Sequence, residues 1–272
     1  AFKGLRLSEL APVPPSTNEP RTGLSMGQHC ELMAKHWEID RAAQDEWAVA
    51  SHHKAVAAYQ QGFYDHLVRP HNGVMRDNNL RTDASIEGMA GLRPAFDKEA
   101  GSLTAGNSTP LTDGASAILL GTIEWAEARG LPVLAKLSAG QTAANDFASG
   151  EGLLMAPTQA VKTLLSRQAL SIQDFDFYEI HEAFAAQVLC TLKAWENAEY
   201  CRSIGASDAL GSIDVSKINV VGSSLALGHP FAATGARVLG AAAQLLVQKG
   251  SGRSLVSVCT AGGMGVAAVL ER

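Results

Sequence analysis

The tightest constraint on the fold lies near the C-terminal end. Leu255 to Cys259 and Val266 to Leu270 are apolar runs of strand length, joined through Ala261-Gly262-Gly263-Met264-Gly265. A parallel crossover needs a dozen or more residues, so two strands this close in sequence are expected to pair antiparallel. Upstream, strand and helix signals alternate from about residue 111. Val133 to Leu137 reads as a strand, as does Phe175 to Ile180, with a helix from Ala183 to Ala194 after it. Ile218 to Val221 is strand-like, and a helix of small residues follows from Ala233 to Gln248. Thr158, after Pro157, is expected to cap a helix through Val161, Leu164 and Leu165. Ala115 to Leu120 fits a strand or a helix start, and periodicity does not decide between them. The alternation predicts a layered α/β domain.

The N-terminal region has a different texture. Residues 11–23 are rich in Pro, Ser, Thr, Asn and Gly and read as a loop. Ser25 is a natural N-cap, with Gln28 as its capping-box partner. Leu32, Met33, His36 and Trp37 are expected on one face of that helix. Asp40 is expected to cap a second helix, with Ala43, Trp47, Ala50 and Ala57 as its recurring positions and Gly62 as its stop. Residues 63–110 show turn chemistry with little regular period.

Composition narrows the functional classes. Hydrophobic residues make up 46% and charged residues 18% of 272, as in a folded domain rather than a disordered chain. The net charge of −5 gives no electrostatic reason to bind nucleic acid, so any anionic ligand must be held by a local site. Four cysteines, Cys30, Cys190, Cys201 and Cys259, show no CxxC spacing, which argues against a zinc ribbon or a redox pair. Free thiols in a chain of this length fit a reducing compartment. No apolar run reaches membrane-spanning length, and no secretory signal opens the chain. Ala1 in place of a start methionine points to a processed N-terminus or to a piece of something longer.

Three stretches could carry chemistry. Glu179-Ile180-His181-Glu182-Ala183-Phe184-Ala185 marks a strand-to-helix junction, where ligands sit in α/β sheets. The plainer reading makes His181 and Glu182 ordinary helix-start residues. Gly222 to Gly235 is rich in small residues around a single histidine, His229, held between Gly228 and Pro230. Its glycines permit close backbone approach, and the helix after it can face an anion. The plainer reading is a glycine loop with one surface histidine. Cys259 ends an apolar strand before a glycine-rich turn whose N–H groups could lie near the sulfur. A buried structural cysteine before a tight hairpin is the plainer alternative. Two histidines and a cysteine on such junctions suit acyl chemistry. They also suit zinc, but they lie far apart in sequence, and two come from glycine loops suited to an oxyanion.

Together these stretches resemble the thiolase family. Its Asn/His-Glu-Ala-Phe, Gly-His-Pro and Cys-x-Gly signatures read here as HEAFA at 181–185, ALGHPFAATG at 226–235 and CTAGGMG at 259–265. Further matches are SMGQHCE at 25–31, LRPAFDKE at 92–99 and TAGNSTPLTDGA at 104–115. Six motifs in order cover nearly the whole chain. His at 181, with HPFAATG at 229–235, looks closest to the thiolase (beta) subunit of the fatty-acid β-oxidation trifunctional complex. Two departures stand out. None of the four cysteines matches the family's nucleophile motif, which would precede Ala1, and Cys30 in MGQHCE is not that residue. Ala261 stands where many members have glycine.

The resemblance implies a C-terminal βαβαβαββ half over residues 131–272 and the end of the N-terminal thiolase half over 101–130. Residues 1–100 would be a mainly helical loop domain that covers coenzyme A. It implies thiolysis of 3-ketoacyl-CoA, with biosynthetic acetyl transfer or a non-catalytic CoA-binding or assembly fragment as alternatives. Cys259 is then the acid and base, on the premise of a thiol pKa near neutral. His229 and a water on His181 serve the enolate oxygen, and the Ala261 N–H serves a second oxyanion hole. Met26, Phe96, Thr109 and Phe184 are implied near CoA, although packing alone would explain Met26, Phe96 and Phe184. Coenzyme A is expected as substrate, with no permanently bound cofactor and no metal. A homodimer, a hydratase/dehydrogenase alpha subunit as partner, and a bacterial cytoplasmic or mitochondrial setting complete the expectation.

Overall fold

The computed structural model describes residues 16–272, so the opening of the chain and the first part of the expected 11–23 loop lie outside the described residues. Helix α1 (Met26–His36) begins as its sequence dictates. The Ser25 hydroxyl accepts from the Gln28 N–H while the Gln28 side chain takes the Ser25 N–H, closing the capping box. Asp40 caps α2 (Arg41–Gln60) through the Ala43 N–H, and Gly62 ends it with φ 72°. The buried faces differ from expectation. Met33 and Trp37 are inside on α1, but Leu32 is 54% exposed. On α2 the inward stripe is Gln44, Asp45, Ala48, Ser51, His52 and Ala55 rather than the stripe through Ala43 and Ala50. Polar residues take the inside because each finds a partner there, as described below.

A 3₁₀ turn (Phe63–His66) and the short α3 (Ile86–Ala90) and α4 (Ile123–Glu127) interrupt an otherwise irregular stretch. Ala115 to Leu120 forms neither strand nor helix. The chain then enters β1 (Lys136–Ala144), α5 (Ala156–Gln168), β2 (Phe177–Ile180), α6 (Ala185–Glu196) and α7 (Ala198–Ser203). After α8 (Ser224–Leu227) and α9 (Ala232–Lys249), β3 (Arg253–Thr260) and β4 (Met264–Glu271) close the fold. Thr158 does not cap α5. Pro157 occupies the first turn, where its missing N–H costs nothing, and the Thr158 hydroxyl donates to the Met155 carbonyl.

The sheet has the order β1-β4-β3-β2. β3 and β4 pair antiparallel from Arg253↔Glu271 to Thr260↔Met264, as the short connection requires. β1 pairs antiparallel with β4, and β2 parallel with β3. One strand of the expected βαβαβαββ order shrinks to a single bridge between Tyr178 and Ile218. The cause is Asn219. It sits at φ 46°, and its side chain bonds both the N–H and the carbonyl of Ile180 in place of a backbone ladder.

Two layers of helix cover the sheet. Val161 and Leu164 of α5 pack on Tyr178, Ile180 and Leu255, while Val238, Ala242 and Leu246 of α9 pack on Val256 and Ala268. Each fully buried aliphatic side chain contributes about 2 kcal/mol. α1 joins this body through Cys30, Met33 and Trp37, which share a cluster with Cys190 and Ala194 of α6.

Candidate active site

The site forms where β2 ends. His181 follows the last ladder residue, and its N–H still bonds the Ser257 carbonyl of β3. Its Nδ1 lies 2.7 Å from the Ser224 hydroxyl at the start of α8. The Gly-His-Pro loop between α8 and α9 brings His229 beside it, with the two ring centroids 4.3 Å apart. Gly228 makes this approach feasible. Its φ is 91°, and a Cβ there would run into Thr112. The His229 N–H bonds the Pro110 carbonyl, and its Nδ1 lies 2.6 Å from the Thr234 hydroxyl.

Both rings are neutral at ordinary pH. Burial, then the neighbouring His229 and Arg237, hold His181 well below the usual imidazole range. Burial, then Arg237, lowers His229 to about 4. His181 is buried with its Nε2 unpartnered.

Glu182 holds the junction together. Its buried carboxylate accepts from Trp47 Nε1 at 3.0 Å and Ser51 Oγ at 2.7 Å on α2. It also accepts from Asn219 Nδ2 at 2.8 Å and the Leu225 N–H at 3.2 Å. This carboxylate therefore ties the helical N-terminal region to both loops of the site, and it gives Trp47 and the buried Ser51 of α2 their partner. Sequence reasoning treated Glu182 as a helix-start residue. The signal that could have found its role was Trp47 and Ser51, two side-chain donors one helical turn apart on α2.

Cys259 ends on the strand beside β2. The register Ile180↔Ser257 puts it two positions further along. The pleat gives it the face of Leu255, and its side chain belongs to the cluster of Cys30, Phe184 and Cys190. The structure thus brings the two imidazoles together directly, while the sulfur has its own neighbours at the end of the adjacent strand. Burial pushes the Cys259 thiol up to about 12, with only a backbone hydrogen bond acting the other way. A thiol pKa near neutral does not hold, because the sulfur is desolvated.

The remaining predicted residues occupy varied positions. Ala261 lies exposed in the β3–β4 turn. Thr109 clasps the two loops. Its N–H bonds the Ala183 carbonyl, and its hydroxyl donates to the Ser224 carbonyl. Phe184 is buried edge-on to Phe96 at 5.8 Å, and Met26 and Phe96 pack on the same cluster. Core packing accounts for all three of these side chains. Among the described residues, no three His, Cys, Asp or Glu side chains gather as a metal set.

The two histidine loops meet at the end of this sheet, and both belong to the motifs that resemble thiolases. Family models agree: "Thiolase, N-terminal domain" matches residues 12–124 and "Thiolase, C-terminal domain" matches residues 131–272. The chain belongs to the thiolase family. It is similar to the 3-ketoacyl-CoA thiolases of Yersinia pestis (strain Pestoides F) and Yersinia pseudotuberculosis serotype O:3 (strain YPIII). Each is 43% identical over 277 residues, covering 99% of this chain and 63% of the relative. The crystal structure of the Bacillus anthracis acetyl-CoA acetyltransferase superposes with a TM-score of 0.79 at 32% identity, covering 94% of this chain and 62% of that one. The chain thus spans less than two thirds of the length of these relatives. No helix among the described residues is long and apolar enough to cross a membrane.

Proposed function

We propose that this chain supplies the His181, His229 and Cys259 part of a 3-ketoacyl-CoA thiolase site, acting on CoA thioesters in fatty-acid β-oxidation. The observation that carries the reading is the 4.3 Å pair of neutral imidazoles, one from each signature loop, at the end of the parallel strand pair.

In this mechanism a cysteine thiolate outside these 272 residues attacks the 3-keto carbon. The C2–C3 bond breaks, and its electron pair leaves as the enolate of acetyl-CoA. His229 Nε2 and a water on His181 donate to the enolate oxygen, where the charge develops. Cys259 gives its proton to C2. A thiol kept protonated by burial suits that step, and the thiolate it leaves takes the proton of incoming CoA. The CoA thiolate then attacks the enzyme thioester, releasing the shortened acyl-CoA and the cysteine thiolate that began the cycle. The Ala261 N–H serves the acyl oxyanion. Thr109, Phe184, Met26 and Phe96 border the pantetheine, CoA being substrate rather than resident cofactor.

In domain terms, residues 1–100 cover CoA, 101–130 end the N-terminal thiolase half, and 131–272 form the C-terminal domain. We also assign a homodimer, a hydratase/dehydrogenase alpha subunit as partner, and a bacterial cytoplasmic setting. The Bacillus anthracis relative's acetyl transfer is the alternative direction, distinguished by comparing long-chain with acetoacetyl substrates.

The test is thiolysis of acetoacetyl-CoA. The chain alone is expected to be inactive. Adding a fragment of a Yersinia relative that carries its N-terminal third should restore turnover. His229→Ala should then lower the rate roughly 10²- to 10³-fold. Full thiolysis by the 272-residue chain alone, or an unchanged rate in the restored His229→Ala protein, overturns the reading.

A further inference from the structure

Behind His181 lies a chain of polar groups that the mechanism above does not use. Ser224 Oγ has two partners among the described residues: His181 Nδ1 at 2.7 Å and Arg237 Nη2 at 2.6 Å. Ser224 is fully buried. Arg237, in the second turn of α9, is flanked by small and apolar residues, and its only side-chain hydrogen bond among the described residues goes to this hydroxyl. Glu179 of β2, fully buried two residues before His181, is near enough for Arg237 to lower its pKa, although neither carboxylate oxygen has a hydrogen-bond partner.

The hydrogen-bond accounting is one-sided. A guanidinium has donors and no acceptor, so Arg237 must donate to Ser224 Oγ. That leaves one hydroxyl hydrogen to place. If His181 carried its proton on Nδ1, that N–H would also point at Ser224 Oγ, and the buried hydroxyl hydrogen would have no acceptor. If the hydroxyl donates to Nδ1, both Ser224 and Nδ1 are satisfied, and the donor left over on His181 is the Nε2–H, which lies on the His229 side of the ring and not in the packed interior behind Ser224. The imidazole proton then sits on Nε2, the atom that is buried and unpartnered beside His229.

We infer that Ser224 and Arg237 are positioning residues that fix His181 as the Nε2–H tautomer, so that it presents a hydrogen-bond donor to the site. The inference rests on the thiolase reading for its purpose, but its test does not need turnover. The donor is aimed before substrate arrives, and its direction is set from α9, thirteen positions beyond Ser224 in sequence. His181 therefore delivers a donated hydrogen bond to a water or a substrate oxygen and takes no proton from it.

The experiment is nitrogen-15 NMR of the histidine-labelled 272-residue chain, with the His181 signals assigned by their loss in His181→Asn. Tautomers are read from the shifts of Nδ1 and Nε2. The Nε2–H form should predominate by roughly fivefold or more, the ratio matching the smallest cost of an unpaired buried donor. Arg237→Met keeps the bulk and removes the cation that turns the hydroxyl's lone pairs toward α9 and disfavours a proton on Nδ1, so the Nδ1–H form should rise several-fold. Ser224→Ala should also mix the tautomers. A parent chain with His181 as Nδ1–H overturns the inference, as does an Arg237→Met chain, folded by its amide spectrum, with an unchanged ratio. If either variant fails to fold, the parent tautomer alone decides. Loss of the thiolysis reading would leave this ratio unmoved, so the two failures are distinguishable.

Discussion

Glu179 shows what a single buried charge does to the whole chain. It lies in β2 with both carboxylate oxygens unpartnered. Burial, opposed by Arg237 and assisted by Glu182, raises it to about 8 from an ordinary 4.5. The folded state therefore holds a proton that the unfolded chain releases above about 4.5. That contribution is present in full below the unfolded value and is lost as pH rises towards 8. His229 works in the opposite sense. Its folded value of about 4 lies below the ordinary 6.5, so its contribution grows as pH rises through that window and is complete above it. From 6.5 to 8 the glutamate acts without that opposition. Urea melts across this interval should show the parent chain losing stability with rising pH and Glu179→Gln losing much less. Parallel profiles for the two proteins would mean that Glu179 is ionised in the fold. Glu179 and Arg237 are charges within apolar segments of the sequence, but their proximity across β2 and α9 was not legible there, because it spans 58 positions and depends on how the helix docks.

At the scale of elements, the local signals held where the chemistry is local. The Ser25–Gln28 box involves neighbours only, and α1 starts there. Ser25→Ala is expected to cost about 1 kcal/mol, measured as a shift in the urea midpoint with unchanged slope. A loss below a few tenths would show that tertiary packing alone sets this helix end. The β3–β4 hairpin was legible for the same reason: a short connection permits one pairing sense. Ile218 to Val221 was not. Its apolar residues read as a strand, but Asn219 substitutes its side chain for the ladder and turns the backbone. The inward face of α2 was also missed. Hydrophobic periodicity looks for apolar stripes, and this helix buries Asp45 against Asn107 and Ser51 against Glu182.

Across the whole molecule, apolar surface is uneven. Leu111, Leu119 and Leu120 are each more than two-thirds exposed, and Ile118, Ile123, Val133, Leu134 and Leu137 continue the same stretch into β1. β1 is an outer strand of the sheet and runs nine residues. Exposed apolar patches and open strand edges drive association. Multi-angle light scattering of the 272-residue chain should give masses above 28.5 kDa that rise with concentration. Leu119→Asp with Leu120→Asp should lower them. A single species at the monomer mass would show that this surface is inert. By itself, the sequence determined what depends on neighbours in the chain: the helix caps, the hairpin, the glycine stops and the two histidine motifs as candidates. The tertiary structure decided what depends on docking. It set the imidazoles 4.3 Å apart, gave Glu182 four donors from distant segments and sealed Cys259 away from water, because solvent exclusion and long-range hydrogen bonds exist only once the layers have packed.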